Sequence, residues 1–324
     1  MKRLLLLTLL LATVVGYSQT TTLKLASDVW PPYTDVSSKF ALAIDLVREA
    51  LSRNHVKEQT KILDFTAVIT GISKKQFDGS AALWRSPERE KYLLFSEPYL
   101  ENRLILVGKK GSNVSADSLS QLRGHKVAIV ESYAYGAVLN QANGVQIVKG
   151  KNSQQNLDRL LKGEVDYILA DALLVEYLLK FQSEEVAKFL EIGSNAFVRL
   201  PLHFAIRKDY PGAQKIIDSF NVTIKKMIVD GTYNRILKLN WVSTDVDGDG
   251  LPELVLSGNK AGTEAPANSY NIMGQPGAAS NKNAHYVIEG KLYPDWNSVP
   301  GKYKIPGASP ATPDKKDFGL IFRF

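Results

Sequence analysis

Cysteine is absent from all 324 residues of the chain. That excludes disulfides, thiolate metal sites and a lipid-anchored cysteine at a signal cleavage point. An exported chain without such cross-links depends on its apolar core. Long apolar runs are scarce too: after Val15 no segment is long and apolar enough to cross a bilayer as a helix. Charge is not concentrated either. The formal net charge is +7, and basic stretches such as Lys225-Lys226 and Lys315-Lys316 are short. They read as solvated surface, so nucleic acid is not an expected partner.

What is present begins with a secretory pattern. Lys2-Arg3 precede an apolar run from Leu4 to Val15, and Gly16 and Ser18 stand before a cut ahead of Gln19. Residues 1–18 are therefore expected to be a cleaved signal peptide and the mature chain periplasmic. Loss of Lys2 and Arg3 takes the charge from +7 to +5. The remaining length suits two lobes and an appendage.

Strands and helices alternate from Leu23 onward. Leu23–Ser27 reads as a strand running into Trp30-Pro31-Pro32-Tyr33, a loop stiffened by its prolines. Ala43, Leu46, Val47, Ala50 and Leu51 follow at helical spacing. Such alternation predicts an α/β sheet whose ligands sit at the carboxyl ends of strands. Arg103–Gly108 reads as one crossing strand and Leu202–Ile206 as a second, with a fresh α/β series between them. Two crossings around one insert predict two lobes and a hinge. Lobe I would comprise 19–107 and 203–242, lobe II 108–202, and a C-terminal extension 243–324.

The densest set of site-building residue types lies from Trp84 to Tyr99. Trp84 and Arg85 stand at the end of a strand. Ser86 can cap a helix, Pro87 is pre-shaped for its first position, and Arg89 would sit in the first turn. Beside unpaired backbone N–H groups, an arginine there can grip a small carboxylate with its planar fork. A surface pairing of Arg89 with Glu88, Glu90 or Glu97 is the competing reading.

In order and spacing, Trp30-Pro31-Pro32-Tyr33, Ile44-Asp45-Leu46, Phe77-Asp78, Ser86-Pro87-Glu88-Arg89, Phe95-Ser96-Glu97-Pro98-Tyr99, Leu122 to Ile129, Gly163-Glu164-Val165-Asp166 and Asp230-Gly231-Thr232-Tyr233 form one pattern. Through it, Leu23 to about Trp241 resembles the bacterial periplasmic solute-binding proteins of the polar amino acid type. The resemblance implies a type II, Venus-flytrap fold that closes on an amino acid or similar small zwitterion and docks on a membrane permease, for uptake or sensing. It implies that Arg89 holds the ligand carboxylate and Asp171 its ammonium, although Asp171 also suits a plain helix N-cap. Trp30, Tyr33, Trp84, Arg85, Tyr133 and Tyr135 are further ligand-wall candidates, and Trp84 and Arg85 depart from the family's usual small hydroxyl residue. Trp30 and Tyr33 can equally be core. His203 reads as a packed hinge residue. A monomer without a required cofactor is expected.

Two rivals share this fold: a dehydratase of the cyclohexadienyl type, with Asp171 or Glu131 as its acid, and a receptor lobe that signals through the tail.

The extension opens with Asp245-Val246-Asp247-Gly248-Asp249-Gly250-Leu251-Pro252-Glu253. Oxygen-bearing residues at loop positions 1, 3, 5 and 9, with glycine at 6, suit a structural calcium ion held by Asp245, Asp247, Asp249, Leu251 and Glu253. An acidic turn in a linker is the bland reading. Ser257 to Lys316 reads as irregular, and Phe318 to Phe324 as an edge strand.

Overall fold

The computed structural model describes residues 21–30, 32–34, 41–131, 135, 139, 142–256, 270–272 and 285–304. The signal segment, Tyr133 and the strand expected at 318–324 lie outside the described residues. Within them the chain builds β1 (Thr21–Ser27), α1 (Leu42–Ser52), β2 (Val56–Ile62), α2 (Phe65–Ser73), β3 (Gly79–Leu83), α3 (Pro87–Glu90) and β4 (Leu93–Phe95). It then crosses through β5 (Leu100–Lys109) into β6 (Lys126–Val130), β7 (Gln146–Gly150), α4 (Ser153–Lys162), β8 (Tyr167–Asp171), α5 (Ala172–Phe181) and α6 (Ser183–Phe189). The return strand is β9 (Leu190–Arg207), followed by α7 (Ala213–Val229) and α8 (Thr232–Leu237).

One nine-stranded sheet runs through both lobes in the order β2-β1-β3-β9-β5-β8-β6-β7, with β4 also on β9. The connection is the antiparallel pair β5 and β9, which runs from Leu100 opposite Leu202 to Lys109 opposite Leu190 with register shifts between Leu104 and Val107. The second crossing strand is thus longer than the sequence predicts. It starts at Leu190, and lobe II keeps its first half as an edge. Gly79 shows why β3 can lie so close to β9: a Cβ there would meet the Ala205 carbonyl oxygen at 1.9 Å.

The lobe I core follows from helical spacing. Ala43, Leu46, Val47, Ala50 and Leu51 of α1 are all buried. In α7, Ile217, Phe220, Ile224 and Met227 are buried, while Ile216 and Ile228 are only partly so. Phe220 packs against Phe204 at 4.9 Å between ring centroids and edge-on against Tyr99 at 5.4 Å. Lobe II has two apolar layers, one on each face of its sheet. Leu173 and Tyr177 of α5 reach into the lobe I core, where the Tyr177 hydroxyl donates to Leu237 O at 2.5 Å. That buried hydroxyl is satisfied across the lobe boundary.

Of the stretch 257–316 expected to be irregular, the described residues 270–272 and 285–304 contain short strands and a helix. A five-stranded sheet forms from β10 (Trp241–Thr244), β11 (Glu253–Leu256), β12 (Tyr270–Asn271), β13 (Tyr286–Ile288) and β14 (Lys291–Tyr293), in the order β12-β10-β11-β13-β14, followed by α9 (Gly301–Lys304). Its outer core contains Trp241, Leu254, Leu256, Tyr286, Ile288 and Tyr293. Val242, Val255, Tyr270, Ile272 and Val287 join the lobe I core instead. The extension is therefore packed as part of lobe I. Among the described residues no helix is long and apolar enough to cross a membrane.

Candidate functional site

Arg89 is positioned as the local sequence dictates. Ser86 is extended and its hydroxyl accepts from the Arg89 N–H at 3.4 Å, and Pro87 occupies the first helical position of α3. The Arg89 guanidinium is half-buried, donates through Nη1 to Trp84 O at 2.6 Å, and lies over the Phe65 ring at 5.2 Å. Burial lowers its pKa. Among the described residues it has no ion pair, so the surface pairing with Glu88, Glu90 or Glu97 is not formed.

Asp171 ends β8 and stands at the N-cap position of α5, but its side chain makes no capping bond. The carboxylate is 1 % exposed. Its Oδ1 accepts from Asn102 Nδ2 and from Tyr33 Oη at 3.4 Å, while Oδ2 accepts no well-formed hydrogen bond. The Trp30 indole N–H also favours the charged form, yet burial dominates and the pKa is pushed up to about 8. All these partners are neutral.

An aromatic wall runs between the two groups. Trp84 meets Trp30 edge-on at 5.4 Å, and Trp30 tilts against Tyr33 at 5.0 Å. Tyr33 Oη then reaches Asp171 and the Glu101 carbonyl, each at 3.4 Å. The loop carrying these rings is pinned by Tyr33 N and Thr34 N donating to Trp30 O at 2.7 and 2.9 Å, and by Thr34 Oγ1 donating to Asp28 O at 2.7 Å. Trp30 and Tyr33 are both wall and core, buried with the lobe I cluster.

Other candidates are placed elsewhere. Arg85 points out of the site, exposed and paired with Glu90. Tyr135 is buried in the lobe II core, where its hydroxyl accepts from Val130 N at 2.8 Å. It is still near enough for the charge of Asp171 to raise its pKa further, on top of burial. Glu131 is exposed. His203 is buried, with Nδ1 at 2.8 Å from Ser96 O and burial lowering its pKa, as a packed hinge residue requires.

The sequence reading missed Asn102, Phe65 and Asp28. Asn102 is fully buried beside Asp171, and its signal was available: Glu101-Asn102-Arg103 is a polar triplet inside a strand. Phe65 carries the Arg89 guanidinium. Asp28 lies in the same field, its pKa raised by burial against the pull of its own backbone and Arg89.

In the extension, carboxylate oxygens of Asp245, Asp247 and Glu253 all lie within 4.8 Å of one another. Glu253 is 2 % exposed, and burial together with Asp247 and Asp245 raises its pKa. Asp245 accepts from Gly248 N and Gly250 N at 2.7 and 2.9 Å. Both glycines have positive φ, which the tight loop needs. Asp249 is not part of the converging carboxylates; its Oδ1 accepts from Leu251 N at 2.7 Å.

Residues 25–243 match the bacterial extracellular solute-binding proteins, family 3. An L-cystine-binding protein of Bacillus subtilis (strain 168) is 26% identical over 63% of this chain and 72% of its own. ABC transporter arginine-binding protein 1 of Escherichia coli (strain K12) is 21% identical over 73% of this chain and 97% of its own. Among solved structures, an ancestral arginine-binding protein bound to arginine superposes with a TM-score of 0.54 and 26% identity, over 67% of this chain and 96% of the other. The two-lobed flytrap architecture is the one these relatives share.

Proposed function

Because this chain belongs to the bacterial extracellular solute-binding proteins, family 3, we propose that it binds an amino acid or similar small zwitterion in the periplasm and presents it to a membrane permease or receptor. The observation that carries the reading is a pair of complementary deficits. Arg89 is a half-buried cation without an ion pair, and Asp171 is a buried acid whose partners are all neutral; Trp84, Trp30 and Tyr33 run between them. A ligand carboxylate would meet the Arg89 fork, and its ammonium would supply the charge that Asp171 lacks. Arg89 is on lobe I and Asp171 on lobe II, so such a ligand favours the closed arrangement over the open one. Relatives named for cystine and arginine support an amino acid as the solute class.

The test is calorimetry of the chain from Gln19 against an amino acid panel, with Arg89→Ala beside the wild type. Loss of about 2–5 kcal/mol of binding is expected, as for truncation of one partner of a desolvated charge pair. Equal affinity in both proteins would sink the reading.

Asp171 supports a second reading as well. An acid that keeps its proton to about 8 can donate it, the step a dehydratase on this fold needs. Incubation with prephenate or arogenate discriminates: unchanged compound leaves the binding reading, and turnover replaces it. For the extension, the converging Asp245, Asp247 and Glu253 support a structural calcium ion, expected to raise the melting temperature in a way that chelator reverses.

A further inference from the structure

The extension is fixed to lobe I, yet one edge of its sheet lies at the lobe crossing. Asn234 Nδ2 of α8 donates to Val255 O at 2.7 Å, and Gly290 N donates to Val229 O at 3.1 Å. Tyr270 and Ile272 are buried in the lobe I core. Strand β12, at the edge of the extension's sheet, is thereby held against β5. There the largely buried Arg103 donates through Nη2 to Asn271 O at 2.6 Å and lies over the Tyr270 ring at 4.7 Å.

Strand alternation puts this contact behind the cleft. Asn102 reaches Asp171, and its neighbour Arg103 points the opposite way. The charges of this rear face answer one another, with Glu101 at 3.3 Å from Arg103 and 3.8 Å from Arg199. Just beyond, the ladder between β5 and β9 is irregular, with register shifts between Leu104 and Val107. A strand bends most readily where its ladder is interrupted. Between β12 and lobe II lies a cavity of about 340 Å³. Tyr270 and Asn271 form its wall on the extension, Val175 and Leu179 its wall on α5, and Ile192 and Ala196 its wall on β9. Leu179 is a large apolar side chain left exposed there.

We propose that β12 is a rear stop on lobe opening. The lobes pivot about the pair β5 and β9, so the cleft in front and the cavity behind change in opposite senses. Opening the cleft swings α5 and the first half of β9 towards Tyr270 and Asn271, and contact there ends the swing. Closing the cleft enlarges the cavity and meets no obstacle from the extension. Arg103 keeps the stop in place, because it ties β12 to one of the pivot strands. A cleft held part-closed while empty needs less binding energy to close, so the stop raises affinity for the solute the cleft takes. That last consequence rests on the proposed cleft function; the stop itself rests on the two-lobed fold.

The experiment measures the lobe separation in the full mature chain without ligand, by electron–electron resonance between two spin labels. The chain has no cysteine of its own, so Lys61→Cys and Lys151→Cys carry the only labels. Both positions are exposed, at the carboxyl ends of β2 and β7, the two outermost strands of the shared sheet. Leu179→Trp thickens the wall that meets the stop and is expected to shorten and narrow the distance distribution. Tyr270→Ala removes the stop's ring and is expected to lengthen and broaden it. Leu292→Trp alters another exposed leucine, on β14 at the far edge of the extension's sheet, and is expected to leave it unmoved. Unchanged distances in Leu179→Trp would overturn the proposal, as would an equal change in Leu292→Trp or a folded Tyr270→Ala chain that opens no further. Tyr270→Ala empties a core position; if that chain does not fold, Leu179→Trp decides alone. All distances are read on the empty protein and the cleft reading on Arg89→Ala calorimetry, so either can fail while the other stands.

Discussion

Two buried carboxylates lie close together at the lobe crossing and live in opposite electrostatic company. Glu101 faces Arg103 and Arg199 on one side of β5. Asp171 lies on the other side and meets only an amide, a phenol and an indole. Burial raises the pKa of both, but at Glu101 the two guanidiniums work against it. The protein supplies countercharge to Glu101 and withholds it from Asp171. A buried acid given neutral donors is oriented without being neutralised, which leaves its charge to be completed by something that arrives from outside.

The sharpest way to break this contrast is to remove the internally paired acid. Glu101→Gln leaves Arg103 largely buried without its carboxylate and should cost about 3–5 kcal/mol of folding stability, read by urea unfolding. A loss under about 1 kcal/mol would mean the two acids are not different in kind. Asp171→Asn should do the reverse. It is expected to remove about 2–5 kcal/mol of ligand binding, by calorimetry, while the empty protein folds at least as well at pH 8.

A smaller effect follows from the direction of the Asp171 shift. Its folded pKa of about 8 lies above the ordinary 3.8, so the empty folded state holds a proton that the unfolded chain releases. The stabilisation this gives is complete below about pH 4 and lost as pH rises towards 8, so wild-type stability should fall across that window relative to Asp171→Asn. An ammonium-bearing ligand would drive that proton off. Affinity should then rise by up to about tenfold per pH unit until about 8, with proton release visible as a dependence of binding heat on the buffer's ionisation enthalpy. A flat profile would mean that Asp171 does not receive the ammonium. The smallest effect is expected at Arg85→Ala, whose exposed pair with Glu90 is worth about 0–1 kcal/mol of stability. Ligand affinity should not move.

Much of the scaffold was legible along the chain. The α1 stripe is buried as its spacing requires, and Ser86-Pro87 starts the short helix that carries Arg89. These features are local, set by helical period and cap chemistry within a few residues. Arg85 was less legible. Adjacent residues at a strand end face opposite ways, so Trp84 turns inward against Trp30 while Arg85 turns outward to Glu90. The extension was least legible. Its strand β12 is two residues long, and its pairing with β10 joins Val242 to Tyr270, a contact that no local pattern encodes.

By itself the sequence determined the α/β alternation, the two crossings, the arginine at a helix start and the acid at a strand end, because each depends on residue type and short-range spacing. Tertiary structure decided how the acids are used. Asn102 and Tyr33 reach Asp171 from 69 and 138 positions away. Arg199 becomes a neighbour of Glu101 only when β5 and β9 pair. Burial and countercharge are properties of such long-range neighbours, so the chemistry of a carboxylate is settled by the fold that surrounds it.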